Sequence, residues 1–151
     1  MDVFGAIINI IEKRRKKVDN SNIFKVWGER RRIHLDSRNE IDLLYLNKDC
    51  FCSTHTHKDK INKFIVIEGK VKIQTEFGQR VLEKNEIWEV RPPLKHRFIA
   101  LEDSTMIEFA YVEKNKIISP DDINRISQGG KIIDKVEYTL EELRKRGLLD
   151  L

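Results

Sequence analysis

The chain has 151 residues, 40% of them hydrophobic and 36% charged, which suits a single globular domain and excludes a disordered chain. No apolar run is long enough to span a bilayer, and the start lacks the basic segment and small-residue cleavage site of a secretory signal, so the expected location is the cytoplasm. The formal net charge of +4 comes from clusters at Arg14-Arg15-Lys16-Lys17, Arg30-Arg31-Arg32 and Arg144-Lys145-Arg146. These sit among acidic residues and do not alternate with aromatics, so they read as solvated surface and not as a nucleic-acid face.

Residues 1–22 read as an N-terminal amphipathic helix. Phe4, Ile7, Ile8 and Ile11 recur at helical spacing, basic residues follow towards the C-terminal end, and Asp19-Asn20-Ser21-Asn22 breaks the pattern. From residue 23 to 113 the texture is that of strands. Ile41–Leu46, Lys63–Ile67, Val71–Thr75, Ile87–Val90, Phe98–Leu101 and Met106–Val112 are short and rich in β-branched or aromatic residues. Turn signals separate them, among them Asn47-Lys48-Asp49, Glu68-Gly69, Phe77-Gly78 and Lys84-Asn85. The gaps are too short for crossover helices, so the strands are expected to pair antiparallel in a sandwich or closed barrel.

Cys50 and Cys52 lie one residue apart. A bridge between them would be strained, so they read as two small buried side chains in a reducing compartment. Residues 114–151 form an expected helical extension. Ser119-Pro120 can start a helical turn, Gly129-Gly130 is a break, and Thr139-Leu140-Glu141-Glu142 is a capping box for a helix ending at Gly147.

Three of the four histidines fall at informative places. His55 and His57, one residue apart in an expected strand, face the same side. His96 follows Pro92-Pro93-Leu94-Lys95 and opens another strand. Two imidazoles from one strand and one from a second suit a divalent ion such as Zn, Mn, Fe, Ni or Co. Spacing alone leaves open hydrogen-bonded or surface histidines. Glu108 stands out because it interrupts the apolar run Met106-Ile107-Glu108-Phe109-Ala110, and a buried carboxylate must be paired or must shift its pKa. His34 reads as a structural or surface residue, and Trp27 and Trp88 as core.

The segment from Ser53 to Gly69 resembles the first motif of the cupin superfamily, with His55 and His57 as its histidines and Gly69 as its glycine. The segment from Glu86 to Phe98 resembles the second motif, with Pro92 in its proline segment and His96 as its histidine. The resemblance covers roughly residues 25 to 112. It implies a mainly β fold, a double-stranded β-helix or jelly-roll-like barrel, with N-terminal and C-terminal helices flanking it. It also implies a metal site of His55, His57 and His96.

Two positions depart from the pattern. Asn62 stands where the motif has its metal-binding glutamate and offers a neutral amide oxygen as a fourth ligand. Pro93 replaces the turn glycine, so that loop must follow another path. Asp59, Glu68 and Glu108 are the carboxylates that could stand in for the missing glutamate.

Lys25-Val26-Trp27-Gly28 and Glu108-Phe109 are similar to the cupin domain of type II mannose-6-phosphate isomerases and mannose-1-phosphate guanylyltransferases. This resemblance implies a small sugar or sugar-phosphate ligand, with Arg30, Arg32, Arg91 and Arg97 available to phosphate. The enzyme this suggests is an isomerase or epimerase in which the metal polarises a carbonyl or hydroxyl, and Glu108, the carboxylate that interrupts an apolar run, is the candidate to move the proton. The alternatives are a non-enzymatic small-molecule-binding or structural cupin, and an Fe(II)-dependent dioxygenase. Helices at the ends of the barrel offer surfaces for a homodimer.

Overall fold

Most of the strands form because apolar residues recur at every second position between Asn-, Asp- and Gly-rich turns, giving the segment one face to bury. The structure, a computed structural model, describes residues 22–149 together with Val3, Gly5 and Ile7. Those three are helical, and the rest of the apolar stripe expected over residues 1–22 (Phe4, Ile8 and Ile11) lies outside the described residues.

The first strands are β1 (Asn22–Lys25), β2 (Gly28–Leu35), β3 (Asn39–Leu46), β4 (Cys50–Phe51) and β5 (His55–Thr56). They are followed by β6 (Ile61–Glu68), β7 (Lys70–Thr75), β8 (Gly78–Glu83), β9 (Ile87–Val90), β10 (His96–Ala100) and β11 (Ser104–Tyr111). The chain then adds β12 (Asn124–Arg125), β13 (Gly130–Ile133), β14 (Val136–Thr139) and the short helix α1 (Leu140–Lys145). One sheet runs β1-β2-β3-β11-β6-β9. The other runs β12-β5-β10-β4-β13-β14, with β7 paired to β10 and β8. Every pairing is antiparallel.

The core lies between the sheets. Leu44, Leu46, Phe64, Val66, Val90 and Met106 from the first meet Val71, Ile73, Leu82, Phe98 and Ala100 from the second in one buried cluster with Cys50 and Cys52. Both cysteines are free and buried, as expected. Trp27 sits in the same cluster, edge-on to Phe98 at 5.2 Å between ring centres, and Trp88 packs against it.

Register decides what else faces inward. Asp42 lies opposite Glu108, Leu44 opposite Met106, Glu108 opposite Phe64, and Ala110 opposite Asn62. Strand parity therefore puts Glu40, Asp42, Asn62 and Glu108 on the same sheet face as Leu44, Phe64 and Met106. Gly69, the motif glycine between β6 and β7, has φ +91, and a Cβ there would come within 2.2 Å of Ser104 Oγ. No other residue fits that turn without displacing β11.

Two expectations need correction. The cluster Arg30-Arg31-Arg32, read as solvated surface, lies within strand β2. Arg32 is tied to buried Asp42 at 2.6 Å and buried Glu40 at 3.2 Å, while Arg31 pairs with Glu29 at 3.0 Å. The expected helical extension after residue 113 contains β12, β13 and β14 before its helix. Ser119 opens only a turn, in which the Asp122 N–H donates to the Ser119 carbonyl, because the following residues are drawn into pairing with β5 and β4. The capping box is present: Thr139 Oγ1 accepts from the Glu142 N–H, and Glu142 accepts from the Thr139 N–H. At Pro93 the chain turns through a cis Pro92–Pro93 bond, with the Leu94 N–H donating to the Arg91 carbonyl.

Candidate metal centre

The second sheet brings the three histidines together. His55 in β5 is directly opposite His96, the first residue of β10. His57 stands just beyond the end of β5, so the H-x-H pair sits on a two-residue strand and the bend that follows it. All three rings are buried, with centres 4.5 Å apart for His55 and His96, 4.9 Å for His55 and His57, and 5.3 Å for His57 and His96. One nitrogen from each lies within 4.8 Å of the other two.

Backbone carbonyls set the tautomer. The Nδ1 of His55 lies 2.8 Å from the Ser53 carbonyl, that of His57 2.6 Å from the Asp122 carbonyl, and that of His96 3.0 Å from the Leu94 carbonyl. A carbonyl can only accept, so each Nδ1 carries the proton and each Nε2 keeps its lone pair. Burial, reinforced by the neighbouring His96 and His57, lowers His55 to about 3. Burial also lowers His57 to about 4 against the opposing bond to the Asp122 carbonyl, and it lowers His96. The cluster is therefore neutral near pH 7, the state in which imidazole binds metal.

The donor set fits a divalent cation on a separate ground. The Nε2 of His96 and the Oδ1 of Asn62 are both buried without a hydrogen-bond partner. Orphaned acceptors beside two more imidazole lone pairs are what a cation would satisfy. The three histidines thus form a cluster capable of holding a divalent metal ion.

Asn62 is fully buried beside them. Its Nδ2 donates to His57 Nε2 at 3.1 Å and to Glu108 Oε1 at 3.2 Å. Glu108 itself faces the cleft, and burial with the nearby charges of Asp42 and Glu40 raises its carboxyl to about 7, against the pull of Lys60 and Arg30. The other candidate carboxylates are elsewhere: Asp59 pairs with Lys116 at 2.9 Å, and Glu68 is exposed at the far end of β6. Of the arginines considered for phosphate, Arg91 pairs with Glu113 and Glu89, and Arg97 with Glu137.

His55, His57 and Glu108 open into a cleft of about 1290 Å³, whose wall also carries Arg30, Glu40, Asp42 and Lys60. Lys60 is buried and ion-paired to Glu40 at 3.5 Å. Of this charged group sequence reading named only Arg30, because its members come together from β2, β3 and the segment before β6, and Glu40, Asp42 and Lys60 each look like ordinary surface residues.

It also missed Asp122. Its carboxylate accepts the backbone N–H groups of Lys58 (2.7 Å), Asp59 (2.9 Å) and Lys60 (3.0 Å), while its carbonyl holds His57. Burial alone would raise this carboxyl, but the three N–H donors outweigh it and hold it below the usual range. Only its place in Ser119-Pro120-Asp121-Asp122 marked it in the sequence, and that pattern points to a local turn.

Paired antiparallel sheets with a His-x-His and a distant histidine meeting between them are the architecture of the cupin superfamily. Residues 12–128 match the family described as mannose-6-phosphate isomerase C-terminal, and the chain belongs to that family. No curated protein matches it in sequence.

Solved structures agree on the fold. KdgF from Halomonas sp. is 16% identical with a TM-score of 0.53, the match covering 66% of this chain and 87% of that one. An RmlC-like cupin from Shewanella frigidimarina is 14% identical with a TM-score of 0.57, covering 66% and 88%. Oxalate decarboxylase from Bacillus subtilis is 15% identical with a TM-score of 0.59; the match covers 72% of this chain but only 30% of the decarboxylase. No helix among the described residues is long and apolar enough to cross a membrane.

Proposed function

We propose that the protein is a metal-dependent isomerase or epimerase acting on a small sugar or sugar phosphate. The observation that carries this reading is a carboxyl with a pKa raised to about 7 in the cleft onto which His55 and His57 open, beside the cluster that these two neutral imidazoles form with His96. In this reading His55, His57 and His96 hold the ion, with the Oδ1 of Asn62 as a fourth, neutral ligand. When bound, the ion supplies Lewis acidity towards a carbonyl or hydroxyl. Glu108 takes and returns the proton, a task for which a pKa near the working pH is best suited. In the ion-free structure the Asn62 Nδ2 donates to Glu108, and the amide would have to turn to present its Oδ1 to the ion. The carbohydrate class comes from the family to which the chain belongs, and fold alone does not set chemistry.

The same reading takes residues 23–113 as a closed jelly-roll barrel and residues 114–151 as an extension that clamps its open end through Asp122. The protein would act in the cytoplasm as a homodimer. Exposed Ile23 and Phe24 on edge strand β1 support pairing with a second copy.

The test is to load the protein with divalent metal, incubate it in heavy water with a panel of aldose and ketose phosphates, and follow deuterium entering the carbon next to the carbonyl. Incorporation that requires metal and is lost in Glu108→Gln is the expected result. A protein that takes up metal yet exchanges no proton from any of them would overturn the enzymatic reading.

A second reading has its own observation. Asn62 Nδ2 occupies the His57 lone pair in the structure, so the cluster can close without an ion, as a non-enzymatic binding cupin would. A wild-type protein that stays metal-free under metal-replete conditions decides for it.

A further inference from the structure

Strand β2 and its neighbours place several cations along one wall of the cleft. Arg31, Arg32, Arg91 and Arg97 each have a carboxylate partner. Arg30 has none among the described residues, and its Nε is buried without an acceptor. Leaving a guanidinium N–H buried and unpaired is costly, so such a group marks a place where an acceptor arrives from outside. Lys25 and Arg125 line the same cleft. The Lys25 ammonium is held below its usual range by burial, and then by Arg30 and Arg125, so the three cations share one field.

Register links this wall to the histidines, since Arg125 is directly opposite His55 across β12 and β5. The carboxylates Glu40 and Asp42 on the same face are already engaged by Lys60 and Arg32.

We propose that Arg30, flanked by Lys25 and Arg125, is the subsite for the anionic group of the small molecule that occupies this cleft, a phosphate or a carboxylate. A guanidinium offers paired N–H donors that match either oxyanion. The rest of such a ligand would then extend towards His55 and Glu108, where hydroxyls meet the carboxylates. The inference deepens the proposed function and rests on it for the choice of cleft. It does not require a metal, because none of the three cations is a member of the histidine cluster.

The test uses the full-length, chelator-treated protein, with thermal unfolding followed against inorganic phosphate and, in a separate arm, malonate. Ionic strength is held constant with chloride. Wild type is expected to show a saturable rise in Tm with at least one of the two anions, and the arm that responds assigns phosphate or carboxylate. Arg30→Gln is expected to weaken that anion about tenfold or more, Arg30→Lys less, and Arg91→Gln not at all.

Arg30→Met, which removes the orphaned donor, keeps the experiment readable, since without anion it should unfold no earlier than wild type. An absent response in wild type, or one unchanged in Arg30→Gln, overturns the proposal. Metal content measured on the untreated protein reports on the histidine cluster separately, so failure of one reading is distinct from failure of the other.

Discussion

The inner face of the first sheet has two ends made from the same strands. On β3 the inward residues change from Glu40 and Asp42 to Leu44 and Leu46; on β6 they change from Asn62 to Phe64 and Val66; on β11 the step is from Glu108 to Met106. Every one of these is an inward position by parity. At the apolar end the side chains fill the space between the sheets, which is the ordinary source of stability. At the polar end each carboxylate or amide must be matched by a partner, and the partners found there are Arg32, Lys60 and His57. Alternation thus fixes which side chains enter the interior, and the point along each strand where polarity changes fixes where the cleft begins.

Emptying the apolar end tests its role most directly. Phe64 is almost fully buried, and its ring lies edge-on to His96 with 5.9 Å between centres. Phe64→Ala is expected to cost roughly 3–5 kcal/mol, since a cavity opens between sheets that can collapse only in part. Urea melts of the two proteins measure this. A loss below about 1 kcal/mol would mean that this end is not close-packed.

A smaller loss is expected at the polar end, where Asp122 closes the bend after His57. Asp122→Ala leaves three backbone N–H groups without their acceptor and should cost about 2 kcal/mol. It should also weaken metal binding by roughly tenfold or more, because the carbonyl that orients His57 loses its anchor. Competition with a chelating dye reads the second effect. Unchanged metal affinity alongside lowered stability would show that the bend around residues 58–60 does not position the imidazole.

The two ends differ in how far they were legible. Six strands and their antiparallel pairing could be read from β-branched runs and short turns. His55, His57 and His96 could be read from two motifs, because ligands and turn glycine keep fixed spacings along the chain. Strand β2 could not, since Gly28-Glu29-Arg30-Arg31-Arg32 has no apolar alternation; its inward positions face the charged half of the interior, and there the alternation is of partners. Glu108 was visible as a break in an apolar run. Its partner Asn62 was visible as a motif departure, but the bond between them was not. Asp122 and Lys60 act over long sequence separations, and local pattern carries no trace of that. Polar sites assembled across strands are the part of a β fold that periodicity does not encode.

The smallest expected effect separates the two ends by pH. The Glu108 carboxyl is raised from its usual 4.5 to about 7 in the folded protein, first by burial and then by Asp42 and Glu40. A carboxyl whose folded pKa is raised stays protonated in the native state while the unfolded chain releases its proton. Its contribution is therefore most favourable below pH 4.5, falls as pH rises from 4.5 to about 7, and is constant above. Glu108→Gln removes that slope.

In metal-free protein the difference in stability between Glu108→Gln and wild type should grow in favour of the variant across this window, by about 1 kcal/mol once cleft water has relaxed the burial. The buried histidines act in the other direction. Their folded pKa values of about 3 and 4 for His55 and His57 make stability fall as pH drops below 6.5, but they do so in both proteins and cancel in the difference. Urea midpoints at pH 5, 6, 7 and 8 are enough to read the curve. A flat difference would mean that Glu108 is ionised throughout, leaving the cleft a charged lining without a proton to move.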